Sequence, residues 1–125
     1  MKRVSCAIAE LLPMFVQFPE TDEEHVKTKL GFYSLASFPN LLGAMDCTHV
    51  KIKSPGGDNA ETFRNRKHYF SINVQAICNA DMQFTDIVAR WPGSAHDSTI
   101  LGHSYRNARL LPGIDLHGVL LGDAG

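Results

Sequence analysis

The spacing of apolar residues changes from a helical to a strand-like period at Pro39-Asn40. Before this point, apolar side chains recur at the three- and four-residue intervals of an amphipathic helix. After it, apolar and polar residues tend to alternate, which is typical of strands with one buried face. Helices followed by strands predict an α/β domain in which helices cover a sheet. We therefore divide the chain into a helical segment, residues 1–37, and a sheet-forming core, residues 38–125.

Two helices are predicted in the helical segment. The first spans about residues 2–16, and Pro13 is expected to kink it or end it early. The second begins after Thr21, because Glu24 lies three residues later and completes a capping box. The apolar faces expected to pack are Val4, Ile8, Leu11, Leu12 and Phe15 in the first helix and Val26, Leu30 and Tyr33 in the second.

The core segment predicts a mixed sheet of four strands. Strands are expected at about residues 41–52, 70–78, 82–91 and 118–121, with a helix beginning near residues 94–97. Three antiparallel strands, a crossover helix and a fourth strand parallel to the first form the ribonuclease-H-like arrangement. In the second strand, Phe70, Ile72, Val74, Ala76 and Cys78 alternate with polar residues and are expected to form the buried face. The last strand is of a type normally covered on both faces, so we expect a partial domain, truncated at the C-terminus.

Charge and cysteine content narrow the possible partners and compartments. The 125 residues carry a formal net charge of −1, so the chain has no overall basic field to attract nucleic acid. Three cysteines without a Cys-x-x-Cys pair are typical of reduced thiols in the cytosol or nucleus. Glu10 and Pro13 interrupt the N-terminal apolar run, so it predicts neither a signal peptide nor a membrane span, which needs roughly 20 apolar residues.

Two aspartates interrupt apolar strand segments. Asp46 lies within Ala44-Met45-Asp46-Cys47, and Asp123 directly follows the strand expected at 118–121 and Gly122. Asp is disfavoured in strands, and a buried carboxylate is costly unless it is paired, hydrogen-bonded or bound to a metal. If the two strands are neighbours, their backbones lie about 4.8 Å apart. Both carboxylates could then bind one Mg²⁺ or Mn²⁺ and support phosphodiester cleavage; the structural alternative is an aspartate capping each strand end.

Other polar residues are weaker candidates for the same site. Asp97 either caps the helix predicted near it or serves as a further metal ligand. His49 and His96 could position a water or a carboxylate around the metal, and the alternative is that they are ordinary polar residues with satisfied hydrogen bonds. A zinc site is disfavoured because no close ligand pairs occur among Cys47, His49, Cys78 and His96.

One compact basic cluster is present, formed by Arg64, Arg66 and Lys67 and followed by His68. Such side chains can contact DNA backbone phosphates and position a duplex without reading its bases. The alternative is a solvated surface loop, which the sequence favours equally. The cluster is thus the candidate nucleic-acid-binding site.

Four motifs occur in the order seen in the PIF/Harbinger transposase family, a DDE superfamily endonuclease family with domesticated nuclease members. They are FPNLLGAMDCTHV at 38–50, RKHYFSINVQ at 66–75, PGSAHDS at 92–98 and LGDAG at 121–125. The chain resembles this family over about residues 30–125, and four ordered motifs are far more specific than any one of them.

The resemblance implies a ribonuclease-H-like DDE nuclease core that cleaves DNA with a divalent cation, Mg²⁺ or Mn²⁺. Asp46 matches the acid of the family's Asp-x-Thr-His motif, Asp123 that of the Gly-Asp motif, and Asp97 that of the Gly-Ser-x-His-Asp motif. All three are therefore metal-site candidates, with Asp46 and Asp123 as the catalytic pair. The resemblance further implies a Myb-like DNA-binding partner protein and location in the nucleus, with the cytoplasm as a second compartment.

Two departures from the family pattern leave two interpretations open. Cys47 stands where the family usually has glycine, and the family's final glutamate lies beyond Gly125. The first interpretation is a metal-dependent nuclease core that this chain contains in part. The second is a catalytically inactive transposase remnant that acts as a protein-interaction module with the Myb-like partner.

Overall fold

The computed structural model describes residues 2–107 and 118–122. Its elements are α1 (Lys2–Glu10), α2 (Leu12–Phe15), α3 (Asp22–Ala36), β1 (Leu41–Lys51), a 3₁₀ helix (Ala60–Phe63), β2 (Ser71–Cys78), β3 (Phe84–Pro92), α4 (Asp97–Asn107) and β4 (Val119–Gly122). The order of helices and strands is the predicted one, except that the first predicted helix is divided at Leu11 into α1 and α2 and that the 3₁₀ helix was not expected. None of the described helices combines the length and apolar character needed to cross a membrane.

The four strands form one mixed sheet in the order β3-β2-β1-β4. β2 is antiparallel to both β1 and β3, and β4 is parallel to β1. The predicted fold class, with the fourth strand returning beside the first, is therefore confirmed. The β1–β4 pairing ends with Met45 opposite Gly122, the residues that directly precede Asp46 and Asp123 in the sequence.

The N-terminal helices form as predicted but do not pack as predicted. Thr21 and Glu24 make the capping box at the start of α3, and α1 ends at Glu10, shortly before Pro13. The expected apolar stripe of α3 is solvent-exposed, and its buried residues are instead His25 and Phe32. His25 is tolerated there because its Nε2 lies 2.9 Å from the Pro19 carbonyl oxygen. None of the side chains in α1 or α2 is buried.

The burial of β2 is the reverse of the prediction. Ser71, Asn73 and Gln75 are buried together with Ile77, whereas the alternating apolar residues are only half-buried. Ser71 and Asn73 are tolerated there in part because the Asn65 Nδ2 donates to the Ser71 Oγ and the Asn73 Nδ2 donates to the Asp97 Oδ1 at the start of α4. Alternation alone therefore identified the strand but not the face that the rest of the molecule covers.

Candidate active site and phosphate cleft

Asp46 lies in β1 with an exposed side chain. Its Oδ1 accepts a hydrogen bond from the Cys47 backbone N–H at 2.8 Å, which leaves the rest of the carboxylate available to a ligand. Asp123, the other half of the predicted catalytic pair, lies outside the described residues. The separation of the two carboxylates therefore stays a prediction.

The Asp46 side chain faces one side of the sheet, and Asp97 contacts residues on the other side. Side chains alternate along a strand, so Asp46, opposite Ala76, and Cys47, opposite Gln75, face opposite sides. The Cys47 thiol lies close enough to Asp97 for the negative charge of that carboxylate to raise the pKa of the thiol, and the Asp97 Oδ1 accepts from the Asn73 Nδ2 at 2.8 Å. These contacts tie the start of α4 to the Cys47 face of the sheet. They favour an anchoring role for Asp97, and its role as a metal ligand stays a prediction.

The described residues do not form a metal site on their own. Across residues 2–107 and 118–122, no three His, Cys, Asp or Glu side chains are grouped so that they could hold a metal ion. The zinc site built from cysteines and histidines thus has no support in this part of the chain. A Mg²⁺ or Mn²⁺ site that uses Asp46 and two further side chains of these types would need at least one ligand from outside the described residues.

Burial raises the pKa of the Cys47 thiol from 9.0 to about 11, and the negative charges of Asp97 and then Asp46 add to the increase. A thiol with this pKa is almost wholly protonated at neutral pH. Since the thiolate is the nucleophile, and its higher basicity compensates only in part, we expect Cys47 to react with iodoacetamide roughly tenfold or more slowly than an ordinary exposed thiol.

Timed alkylation followed by peptide mass spectrometry measures this rate, with the exposed Cys6 as the internal reference. Asp97→Asn removes one of the negative charges that raise the pKa, so it is expected to speed the alkylation of Cys47 several-fold. Equal alkylation rates for Cys47 and Cys6 in the parent chain would contradict the raised pKa of the Cys47 thiol.

The predicted basic cluster separates into two parts. Arg64 is committed to its own loop: its Nε and Nη2 donate to the two carboxylate oxygens of Glu61 at 2.7 and 2.9 Å. Its Nη1 also donates to the His68 carbonyl oxygen, and its guanidinium lies 4.4 Å from the centre of the Phe70 ring. The charge of Arg64 is therefore already paired.

Arg66 and Lys67 instead line a cleft of about 220 Å³. Arg66 donates from Nη2 to the ring of His96, which lies just before α4. The described residues around the cleft are His49, Asn65, Arg66, Lys67, Gly93, Ser94, Ala95, His96, Asp97 and Ser98. The structure thus brings together five residues that the sequence singled out separately, namely His49, Arg66, Lys67, His96 and Asp97.

Asn65 and Ser71 are polar residues of this cleft region that sequence reasoning missed. Asn65 is 5% exposed and Ser71 is fully buried. The Asn65 Nδ2 donates to the Ser71 Oγ at 3.1 Å, and the same oxygen lies 3.0 Å from the His49 Nδ1. The available signal was an asparagine two residues before Lys67, since Asn often hydrogen-bonds the backbone two residues on.

Comparison with known proteins decides the class to which this fold and site belong. Residues 45–125 match a family described as DDE superfamily endonuclease. The chain belongs to this family. The DDE superfamily resemblance carried by the four motifs is therefore confirmed, and the matched segment of the endonuclease family includes Asp46, Asp97 and Asp123.

Individual relatives of this DDE domain are moderately similar to it. The chain is 32% identical to the Rattus norvegicus protein "Putative nuclease HARBI1" over 121 residues, covering 97% of the chain and 34% of the relative. It is 31% identical to the Homo sapiens protein of the same name, with the same coverage. It is 33% identical to "Protein ALP1-like" of Arabidopsis thaliana over 82 residues, covering 65% of the chain and 20% of that protein. The chain thus spans about a third of the length of the nuclease-named relatives, and no solved structure matches it.

Proposed function

We propose that this DDE domain is part of a metal-dependent DNA endonuclease, derived from a Harbinger-type transposase, that acts in the nucleus by hydrolysing or transferring phosphodiester bonds. The single observation that carries the proposal is the parallel pairing of β1 with β4, in which Met45 lies opposite Gly122. In the sequence, Asp46 follows Met45 and Asp123 follows Gly122. Two carboxylates that follow paired positions on neighbouring strands, whose backbones lie about 4.8 Å apart, could share one cation.

The donors at this position suit a divalent cation with a preference for oxygen. Asp46 is exposed, and its carboxylate uses only Oδ1 for a contact within the described residues. We propose that Asp46 and Asp123 hold Mg²⁺ or Mn²⁺, the cations that carboxylate oxygens favour. When bound, such an ion supplies an activated water and charge stabilisation for phosphodiester cleavage. The chain's own contribution is to fix the Asp46 carboxylate by the Cys47 N–H and to hold the DNA backbone through Arg66 and Lys67.

Cleavage of supercoiled plasmid by the full-length protein tests the proposal. Nicking is expected with Mg²⁺ or Mn²⁺, is expected to stop when EDTA removes the cation, and is expected to return when the cation is restored. Cleavage that survives EDTA would contradict the metal-dependent mechanism. A protein that never cleaves with either cation would contradict the enzymatic function.

A second function has one observation in its favour, the exposed apolar surface of the N-terminal helices. Val4, Ile8 and Phe15 are 65%, 64% and 77% exposed, although they lie on the apolar face of α1 and α2. Exposed apolar surface of this kind is typical of protein interaction sites. Under this alternative the chain is an inactive transposase remnant that binds a Myb-like DNA-binding protein. Partner binding without cleavage under any of the cation conditions would support it over the nuclease.

A further inference from the structure

We propose that the cleft beside Arg66 and Lys67 binds one phosphodiester group of nucleic acid, and that His49 is a neutral hydrogen-bond donor to it through Nε2–H. The identity of the ligand rests on the proposed function, since a DDE endonuclease acts on DNA. The tautomer of His49 does not, because it follows from the hydrogen bonds that connect Lys67, Asn65, Ser71 and His49. His49 therefore becomes a binding residue separate from the metal site at Asp46.

The orientation of the Asn65 side-chain amide follows from its contacts with the backbone. One end of this amide lies 2.9 Å from the Lys67 backbone N and 3.3 Å from the Tyr69 backbone N. Backbone N–H groups can only donate, so this end is the carbonyl oxygen Oδ1. The other end is then the NH₂ group, and it donates to the Ser71 Oγ.

The orientation of the Asn65 amide in turn indicates which atom accepts the hydrogen bond of the Ser71 hydroxyl. Its oxygen already accepts from Asn65, and among the described residues the acceptor within reach of its own proton is the His49 Nδ1 at 3.0 Å. Since Ser71 is fully buried, its hydroxyl proton needs an acceptor, so we assign the hydroxyl as the donor and Nδ1 as an unprotonated acceptor. A neutral imidazole with an unprotonated Nδ1 carries its proton on Nε2. Ser71 and Asn65 thus act as positioning residues for His49.

The charged side chains around the cleft suit a singly charged anion. His49 lines the cleft, and its Nε2 makes no hydrogen bond within the part of the chain that the structure describes. Arg66 and Lys67 contribute two cations against the one carboxylate of Asp97, which already accepts a hydrogen bond from Asn73. A neutral donor beside two cations suits a singly charged phosphodiester oxygen, which accepts both kinds of contact.

Two measurements test the proposal in the full-length protein. The first is the tautomer of His49 without DNA, read from ¹⁵N-histidine spectra at pH 7.5. An unprotonated Nδ1 and a protonated Nε2 are expected in the parent, and Ser71→Ala is expected to weaken this preference. A proton on Nδ1 in the parent would contradict the proposed hydrogen bond from the Ser71 hydroxyl to His49.

The second measurement is binding of a short DNA duplex in EDTA at several salt concentrations. Arg66→Gln and Lys67→Gln are each expected to lower the slope of log K against log [salt] by about 1, because each removes one phosphate contact. His49→Ala is expected to weaken binding roughly tenfold with an unchanged slope, because the lost donor is neutral. His49→Gln, whose amide can donate from a similar place, is expected to restore most of the affinity.

Arg64→Gln is the matched control, since Arg64 lies in the same loop but pairs with Glu61. It is expected to leave the slope unchanged. Equal slopes for the parent and Arg66→Gln, or a slope that falls with His49→Ala, would overturn the cleft assignment. Because binding is measured in EDTA, it does not depend on cleavage. A protein that binds DNA through the cleft but never cleaves it would refute only the proposed nuclease function. A protein that cleaves DNA, and whose cleft variants bind DNA as the parent does, would refute only the proposed role of the cleft.

Discussion

Replacing Asp46 with asparagine is expected to lower metal-dependent plasmid nicking by about 100-fold or more. Loss of groups that merely support metal ligands costs roughly 10–100-fold in affinity or activity, so loss of a ligand itself should cost at least the upper value. The fold should survive, because the substituted amide keeps a side-chain oxygen that can accept from the Cys47 N–H. Initial nicking rates at saturating Mn²⁺ measure the effect, and circular dichroism checks the fold.

Asp81→Asn is the matched control for this experiment. Asp81 is exposed in the turn between β2 and β3, and its backbone N–H donates to the Asn79 Oδ1. The substitution removes the same charge at a position remote in sequence from the pairing of β1 with β4. Both variants should therefore bind DNA alike in EDTA, and only Asp46→Asn should lose cleavage. Equal cleavage by Asp46→Asn and the parent would remove Asp46 from the mechanism.

Replacing Gly93 with alanine is expected to destabilise the domain by about 1–3 kcal/mol or more, the usual cost of overpacking a filled site. A Cβ at this buried position would lie 2.3 Å from the Ser71 Oγ, 2.5 Å from the Phe63 carbonyl oxygen and 2.9 Å from the Ser71 carbonyl oxygen. Two of these three neighbours are backbone atoms, which cannot rotate away as a side chain can. The segment before α4 must then move, which also breaks the Ser94 N–H bond to the Thr62 carbonyl.

Thermal and urea unfolding measure this loss, and Gly102→Ala provides the control. Gly102 lies within α4, and a Cβ there would meet no atom of the described residues within 4 Å. Alanine in a helix interior is favoured over glycine by roughly 0.5–1 kcal/mol, so this variant should be slightly more stable than the parent. A Gly93→Ala chain as stable as the parent would show that the cleft wall is not tightly packed.

The elements and the fold class could be predicted because they follow from local patterns. The capping box at Thr21 and the alternation through β1 and β2 depend on residues a few positions apart. The parallel return of β4 beside β1 was predictable because handedness rules leave few topologies for a crossover. The four motifs identified the DDE superfamily for the same reason, since they are stretches of contiguous sequence.

The cleft lined by His49, Arg66 and Lys67 could not be predicted in this way. His49 meets Ser71 across 22 positions of sequence, and Arg66 meets His96 across 30. The sequence marked Arg64 and Arg66 as equivalent, and only the pairing of Arg64 with Glu61 distinguishes them. Such differences depend on which side chains lie within contact distance in the folded chain, and no local sequence pattern encodes that.

The sequence by itself determined the order of the main helices and strands, which family the chain belongs to and which acids are candidates for catalysis. The tertiary structure decided which faces of α3 and β2 are buried, that Asp97 anchors α4 on the face opposite Asp46, and that His49 joins Arg66 and Lys67. The physical reason is that periodicity reports the two faces of an element, whereas burial depends on what packs against them. The polar face of β2 is buried because residues of other elements cover it and make some of its hydrogen bonds, as Asn65 does with Ser71 and Asp97 with Asn73.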